Sequence, residues 1–350
     1  MTTDVAAPHA APGSSGPRAR RLRWPGPPVV GFLGRRLAAG LLTVFVVSVL
    51  AFVCTKILPG DTAELVLGRN ASPRALEAMR ERLGSNDPLV LQYFHWLRGL
   101  LTGDFGESAV ALAQYQGNAS ISATLGDPLV NSLVLGGLTA ALLVPLTMVL
   151  GAISGVRAGK LTDHLISGPS LVLGGLPEFV TGSLLIAVFF TWLQWLPPVS
   201  LVSPGASPFG QPDALVLPIL TLLIVTVGSG TRQVRAGVIQ ALTTDYVLYA
   251  RLNGVPESRV LRRYALRNAL ATSVQTIAQN LQYLAGGIII VEALFTYPGI
   301  GNYLLNAVNT RDTNGVLAAS MILAALYTVI NIVADVVVVF LVPKLRTEML

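Results

Sequence analysis

Three histidines, at positions 9, 95 and 164, and one cysteine, Cys54, are too few and too scattered for a histidine-cluster or cysteine-rich metal centre. The nearest approach to a phosphate-binding loop is Gly159-Lys160. Ser154 stands where that motif needs its first glycine, and Leu161 where it needs Ser or Thr. No Gly-x-Ser-x-Gly or Ser-x-x-Lys pattern lies in a context suited to a nucleophile. The chain is therefore expected to be no enzyme, to hold no metal or cofactor and to hydrolyse no ATP itself.

What remains is a few polar groups in apolar surroundings and one basic segment. Glu178 follows Pro177, Glu292 ends an apolar run, and Asn331 and Asp335 stand four residues apart, on one helix face. An ionised group at mid-membrane costs at least ~2.5 kcal/mol, so such residues either line a pathway or hydrogen-bond between helices. For Asn331 and Asp335 the interhelical role is favoured. Glu178 is open between the two. Glu292 sits either where a positively charged substrate group passes or where a carboxylate snorkels to the interface.

The elements that position these groups are read from hydropathy. Of 350 residues, 52% are hydrophobic and 12% charged, about half the charged fraction of a soluble domain; the mean hydropathy is +0.63. An ordinary soluble protein is excluded. Apolar runs near Leu37–Leu58, Leu129–Val156, Leu171–Leu196, Ala214–Val234, Leu270–Leu294 and Val316–Val342 each reach the ~20 residues that cross hydrocarbon. The expected fold is an all-α polytopic membrane protein with six transmembrane helices.

With the amino terminus inside, 17 of the 24 basic residues fall on the inner side, so both termini are expected to be cytoplasmic under the positive-inside rule. That rule also accounts for the net charge of +6, and no nucleic-acid partner is expected. Residues 1–30, rich in Ala, Pro, Gly and Arg, read as a disordered cytoplasmic tail able to touch lipid headgroups. Residues 31–58 hold the first span and 59–128 an external helical loop, with 129–350 forming the core. In that loop Ser72 is expected to cap a helix running through Leu83 to Gly84. Asp87 is expected to cap a second with Pro88 behind it, whose Tyr93 and Trp96 suit the membrane interface.

The basic segment, 243–270, reads as helix, glycine, helix. Asp245 or Thr244 caps a short helix, Gly254 ends it in the left-handed conformation, and Pro256 suits the first turn of the next. That next helix carries Arg259, Arg262, Arg263 and Arg267 straight into the fifth span. The residues alone leave it as either a basic loop or a docking helix.

At DYVLYARLNGVPESRVLRRYALRNAL the chain resembles the coupling loop, or EAA loop, of the inner-membrane permeases of bacterial ABC importers. The dipeptide/oligopeptide/nickel type is the most similar. Ala250 and Gly254 match that loop's alanine and glycine, while Leu248-Tyr249 replaces its leading Glu-Ala. LPGDTAELVLG, GLLTGDFGES, LPEFVTGSLLI and VEALFTYPGIGNYLLNAVNTRD resemble further family elements. NIVADVVVVFLVPKLR does so too, with Val338 and Val342 departing from its pattern.

The resemblance implies a type I importer permease fold forming half of a translocation pathway for peptides or similar small solutes. It implies a homologous second permease, two cytoplasmic ATPases carrying ATP and Mg, an external substrate-binding protein and membrane lipid as partners. Asp245, Tyr246, Tyr249, Ala250 and Arg251 would enter an ATPase groove, Gly254 would set the bend, and Arg262 or Arg263 would touch the same surface. An ion-gradient-driven secondary transporter is the rival. It should show inverted repeats with paired broken helices, and no internal repeat is evident.

Overall fold

The computed structural model describes residues 28–57, 62–68, 71–82, 86–113, 119–202 and 207–341. Among them the chain is helical apart from turns and one antiparallel bridge, Glu107 to Ser120. Helix α1 (Pro28–Ile57) is followed by α2 (Thr62–Leu67), α3 (Pro73–Arg82), α4 (Leu89–Thr102), α5 (Ala109–Ala113) and α6 (Ile121–Thr124). The core holds α7 (Gly126–Val156), α8 (Leu161–Leu173), α9 (Glu178–Ile186) and α10 (Pro212–Leu242). Then come α11 (Asp245–Leu252), α12 (Glu257–Arg259), α13 (Arg267–Leu294), α14 (Ile300–Asn309) and α15 (Thr313–Leu341). The expected tail up to residue 27, Leu83 and Gly84, the start of the LPGD element and the stretch from Val342 lie outside the described residues.

Among the described residues, five helical stretches are long and apolar enough to cross a membrane: Gly34–Ile57, Ile121–Val156, Pro212–Leu242, Ser273–Leu294 and Thr313–Val338. The third expected span is different. Instead of one helix over Leu171–Leu196, α8 begins at Leu161 and meets α9, extended by a π-helical turn to Trp192, at an angle of 104°. Pro177 lacks a backbone N–H and drives Leu176 out of the helical region, so the ladder stops at Gly174-Gly175-Leu176-Pro177. A Cβ on Gly174 would lie 2.8–2.9 Å from the backbone of Gly228 and Ser229. The break is thus where α8 and α10 touch backbone to backbone.

Close approach also joins α7 to α10. Gly151 and Gly155, one helical turn apart, face Val234 and Val238; a Cβ on either glycine would stand 2.5 or 2.6 Å from a valine Cβ. Between membrane helices, where burial against lipid gains little, such small-xxx-small contacts carry the association. Replacing Gly155 by isoleucine is expected to wedge the two helices apart. Overpacking of this kind costs at least ~1–3 kcal/mol, read as a lower thermal unfolding midpoint of the detergent-solubilised protein.

Helix α1 lies to one side against α15. Gly40 meets Thr328 there, and Arg36 pairs with Asp335 through Nε–Oδ2 at 2.9 Å and Nη2–Oδ1 at 3.1 Å. In the loop after α1, Ser72 Oγ accepts the Ala75 N–H at 3.3 Å, as a capping residue of α3 should. Asp87 does not cap α4. Pro88 holds the N-cap position, and the Asp87 carboxylate lies 3.7 Å from His95 Nδ1 instead. Tyr93 and Trp96 are turned onto α1, with ring centroids 5.3 and 6.1 Å from Phe52.

Candidate functional site

Helix α10 continues eight residues beyond the expected end of the fourth span, to Leu242, before α11 starts. Thr244 occupies the N-cap position of α11, but its hydroxyl donates to the Ala241 carbonyl at 2.6 Å rather than accepting from the helix. Asp245 stands in the first turn, exposed. The helix ends as its residues dictate. Gly254 takes φ +72°, its N–H donates to the Arg251 carbonyl at 3.0 Å, and the Val255 N–H donates to the Ala250 carbonyl at 3.1 Å. This pair of bonds satisfies carbonyls that a helix end leaves open, and it needs the left-handed residue between.

The corner has an inside and an outside. Val247, Ala250, Val260 and Ala265 bury together, with Val255 and Tyr264 packed on them. Tyr246, Leu248, Tyr249 and Leu252 face outward, Tyr249 and Leu252 with 64% and 73% of their surface exposed. Ala250, expected among the groove-entering residues, is instead an interior packing residue. Its small side chain lets Val255 and Val260 close over the turn. Pro256 sits at the N-cap of α12 rather than in its first turn. From Glu257 the helix passes through a π-helical turn, Val260–Leu266, directly into α13, with Arg259, Arg262 and Arg263 exposed along it.

Across the corner the Arg251 guanidinium grips Glu257 with two bonds, Nη2–Oε1 at 2.7 Å and Nε–Oε2 at 3.1 Å. Arg251 holds the Glu257 carboxyl below its ordinary value of 4.5. The pair therefore contributes fully above that pH and is lost as pH falls through the lowered value. Arg251 thus braces the bend.

The four intramembrane polar residues do not form one site. Glu178 is buried at the 104° break, its carboxylate against the Gly287 position of α13. Glu292 has 0% of its surface exposed, so it does not snorkel. Its carboxylate accepts Ser132 Oγ–H at 2.5 Å and the Gly301 N–H at 2.7 Å, together with the Asn302 N–H. It thereby caps α14 from a neighbouring helix, and the Ile300 N–H completes the arrangement on Ser132 Oγ at 2.9 Å. Glu292→Ala leaves these buried donors unpaired, and is expected to cost ~1–3 kcal/mol as a lower unfolding midpoint. Asp335 does bridge helices, through Arg36. Asn331 shows no such bond among the described residues; its amide donates to the Tyr327 carbonyl of its own helix at 2.9 Å.

One polar centre was not singled out from the sequence. Asp163, in the first turn of α8 and 1% exposed, accepts two bonds from Arg235 of α10, both 2.7 Å. Ser154 and Ser167 hydroxyls and the Gly159 N–H also donate to it, at 2.5, 2.9 and 2.8 Å. Arg235 belongs to α10 and not to the loop, and Asp163 supplies its counter-charge. The available signal was an aspartate opening an apolar helix. α10 is thereby fixed to α8 at the ion pair and again at the Gly174–Gly228 contact, and its end carries the exposed corner.

Residues 147–347 match the family of binding-protein-dependent transport system inner membrane components, and residues 29–122 match the N-terminal region of such membrane components. The chain is 30% identical over 319 residues to the metal-staphylopine import system permease protein CntB of Staphylococcus aureus, covering 90% of this chain and 98% of that relative. It is 30% identical over 314 residues to a Brucella abortus protein named for a peptide transport system permease, covering 90% and 98%. A Brucella ovis protein named for a peptide permease is 31% identical over 318 residues, covering 89% and 97%. The chain thus belongs to the binding-protein-dependent inner-membrane permease family, as a multi-pass, non-enzymatic ABC importer subunit of the type I permease fold.

Proposed function

We propose that this chain forms half of an ATP-driven import pathway, and that the corner 243–270 is where ATP-dependent motion enters it. The observation that carries the reading is the exposed cap of Tyr246, Leu248, Tyr249 and Leu252, held rigidly on the ends of two long helices. A soluble partner gripping that cap moves α10 and α13 together. In this reading Asp245 and the arginines 262 and 263 frame the gripped surface, Gly254 fixes its angle, and Ala250 packs beneath it. The remaining components are a homologous second permease, two ATPases that bind ATP and Mg on the cytoplasmic side, and an external binding protein that delivers the solute. Both termini lie in the cytoplasm.

The solute class is peptides or similar small molecules, in keeping with relatives named for peptide transport and for metal-staphylopine import. The permease is a two-state element, with nucleotide and loaded binding protein each favouring one state. The test is purification of the tagged chain from its native membrane in mild detergent. A second permease and two ATPases co-eluting with ATPase activity is the expected result. A lone chain whose uptake collapses with the proton gradient identifies a secondary transporter instead.

A further inference from the structure

At the end of the bundle opposite the corner, α1 and α4 border two neighbouring open spaces. One is an apolar groove of about 370 Å³ between Val49, Val53 and Ile57 of α1 and Leu89 and Val90 of α4. The other is a cavity of about 230 Å³ whose polar lining includes Asp87, His95, Asp104 and Asn314. Phe52 and Lys56 line both. The Lys56 ammonium lies 5.5 Å over the Phe52 ring. Stacking of Phe52 on Tyr93 and Trp96, with the Ser48 and Tyr93 hydroxyls bonded at 2.9 Å, holds α4 against the span.

We propose that this paired space binds a zwitterionic phospholipid with a primary ammonium headgroup, from the leaflet opposite the corner. One acyl chain fills the groove, the phosphate meets Lys56, and the ammonium enters the cavity toward Asp87 and Asp104. The order of chemistry along the path, apolar, then cationic, then anionic, is that of such a lipid read from tail to headgroup. A lipid is favoured over a dissolved solute because the groove opens along a membrane-crossing helix, with Val53, Ile57, Leu89 and Val90 exposed. An anionic lipid would place its extra charge against two carboxylates. A trimethylated headgroup has no N–H to donate to them. The lipid would act as a wedge joining the external helix to the first span.

The test is native mass spectrometry of the transporter purified from vesicles containing equal phosphatidylethanolamine, phosphatidylcholine and phosphatidylglycerol. Selective retention of phosphatidylethanolamine is expected. Lys56→Gln and Asp87→Asn should each weaken it roughly tenfold, the loss of one charge-assisted hydrogen bond. A photo-crosslinking side chain replacing Val90 should label lipid. No retained lipid, equal retention of all three, retention unaffected by both substitutions, or labelling of a protein subunit from position 90 would each overturn the proposal.

Discussion

Gly254→Val is expected to abolish ATP-driven uptake while the protein still inserts and accumulates in the membrane. Among the described residues nothing lies within 4 Å of where a Cβ would stand on Gly254, so the substitution meets no steric obstacle there. The damage comes through the backbone, since φ is +72° and a left-handed conformation costs an L-residue roughly 1–2 kcal/mol, more when it is β-branched. The corner escapes that strain by opening. It then loses the Val255-to-Ala250 and Gly254-to-Arg251 bonds and the Arg251–Glu257 brace, and the outward cap changes angle. Asparagine tolerates the left-handed region, so Gly254→Asn should retain uptake. Uptake of the labelled solute by cells carrying the whole system, with permease level measured in parallel, distinguishes the two. Full uptake by the valine variant would remove the assignment of this corner to coupling.

Arg235→Ala is expected to have the largest effect on stability. It strands the Asp163 carboxylate, 1% exposed, with three weaker donors and no counter-charge. Breaking a fully buried pair from one side costs ~3–5 kcal/mol, and the 31% exposure of the Arg235 side chain places this pair at or below the low end of that range, whereas replacing both partners with apolar groups is often close to neutral. The double variant Asp163→Leu/Arg235→Leu should therefore unfold at a higher temperature than Arg235→Ala alone. A thermal melt of wild type, Asp163→Leu, Arg235→Leu and the double variant in detergent completes the cycle, and additive effects would show the two groups to be independent. If α8 follows α10 through this pair, the double variant should fold and yet import less solute for each ATP hydrolysed.

Much of this molecule was legible in its residues because the relevant physics is local. The cost of exposing backbone to hydrocarbon places the apolar runs as spanning helices. The glycine–proline punctuation of 243–270 specifies a helix, a left-handed corner and a second helix, and the motifs around it carry the family resemblance. Tertiary structure decided whatever depends on partners distant in sequence. Asp163 and Arg235 are 72 residues apart, and Ser132 and Glu292 are 160 apart. Arg36 and Asp335 are 299 apart. A hydropathy profile registers each of these groups only as an isolated cost, because the compensating charge or donor is contributed by another helix.

The same distinction explains the third span. Gly174, Gly175 and Pro177 announce a weak point in a helix. Whether the chain bends there, and by how much, depends on the backbone contact with Gly228, which no local preference encodes. Ala250 was expected on the outside by motif and lies inside by packing, since which face of a short helix is buried depends on the neighbour that covers it. Composition, periodicity and turn chemistry thus determined the elements and their kind. Packing alone determined which polar groups meet, since a buried charge is tolerated only where the fold brings its partner.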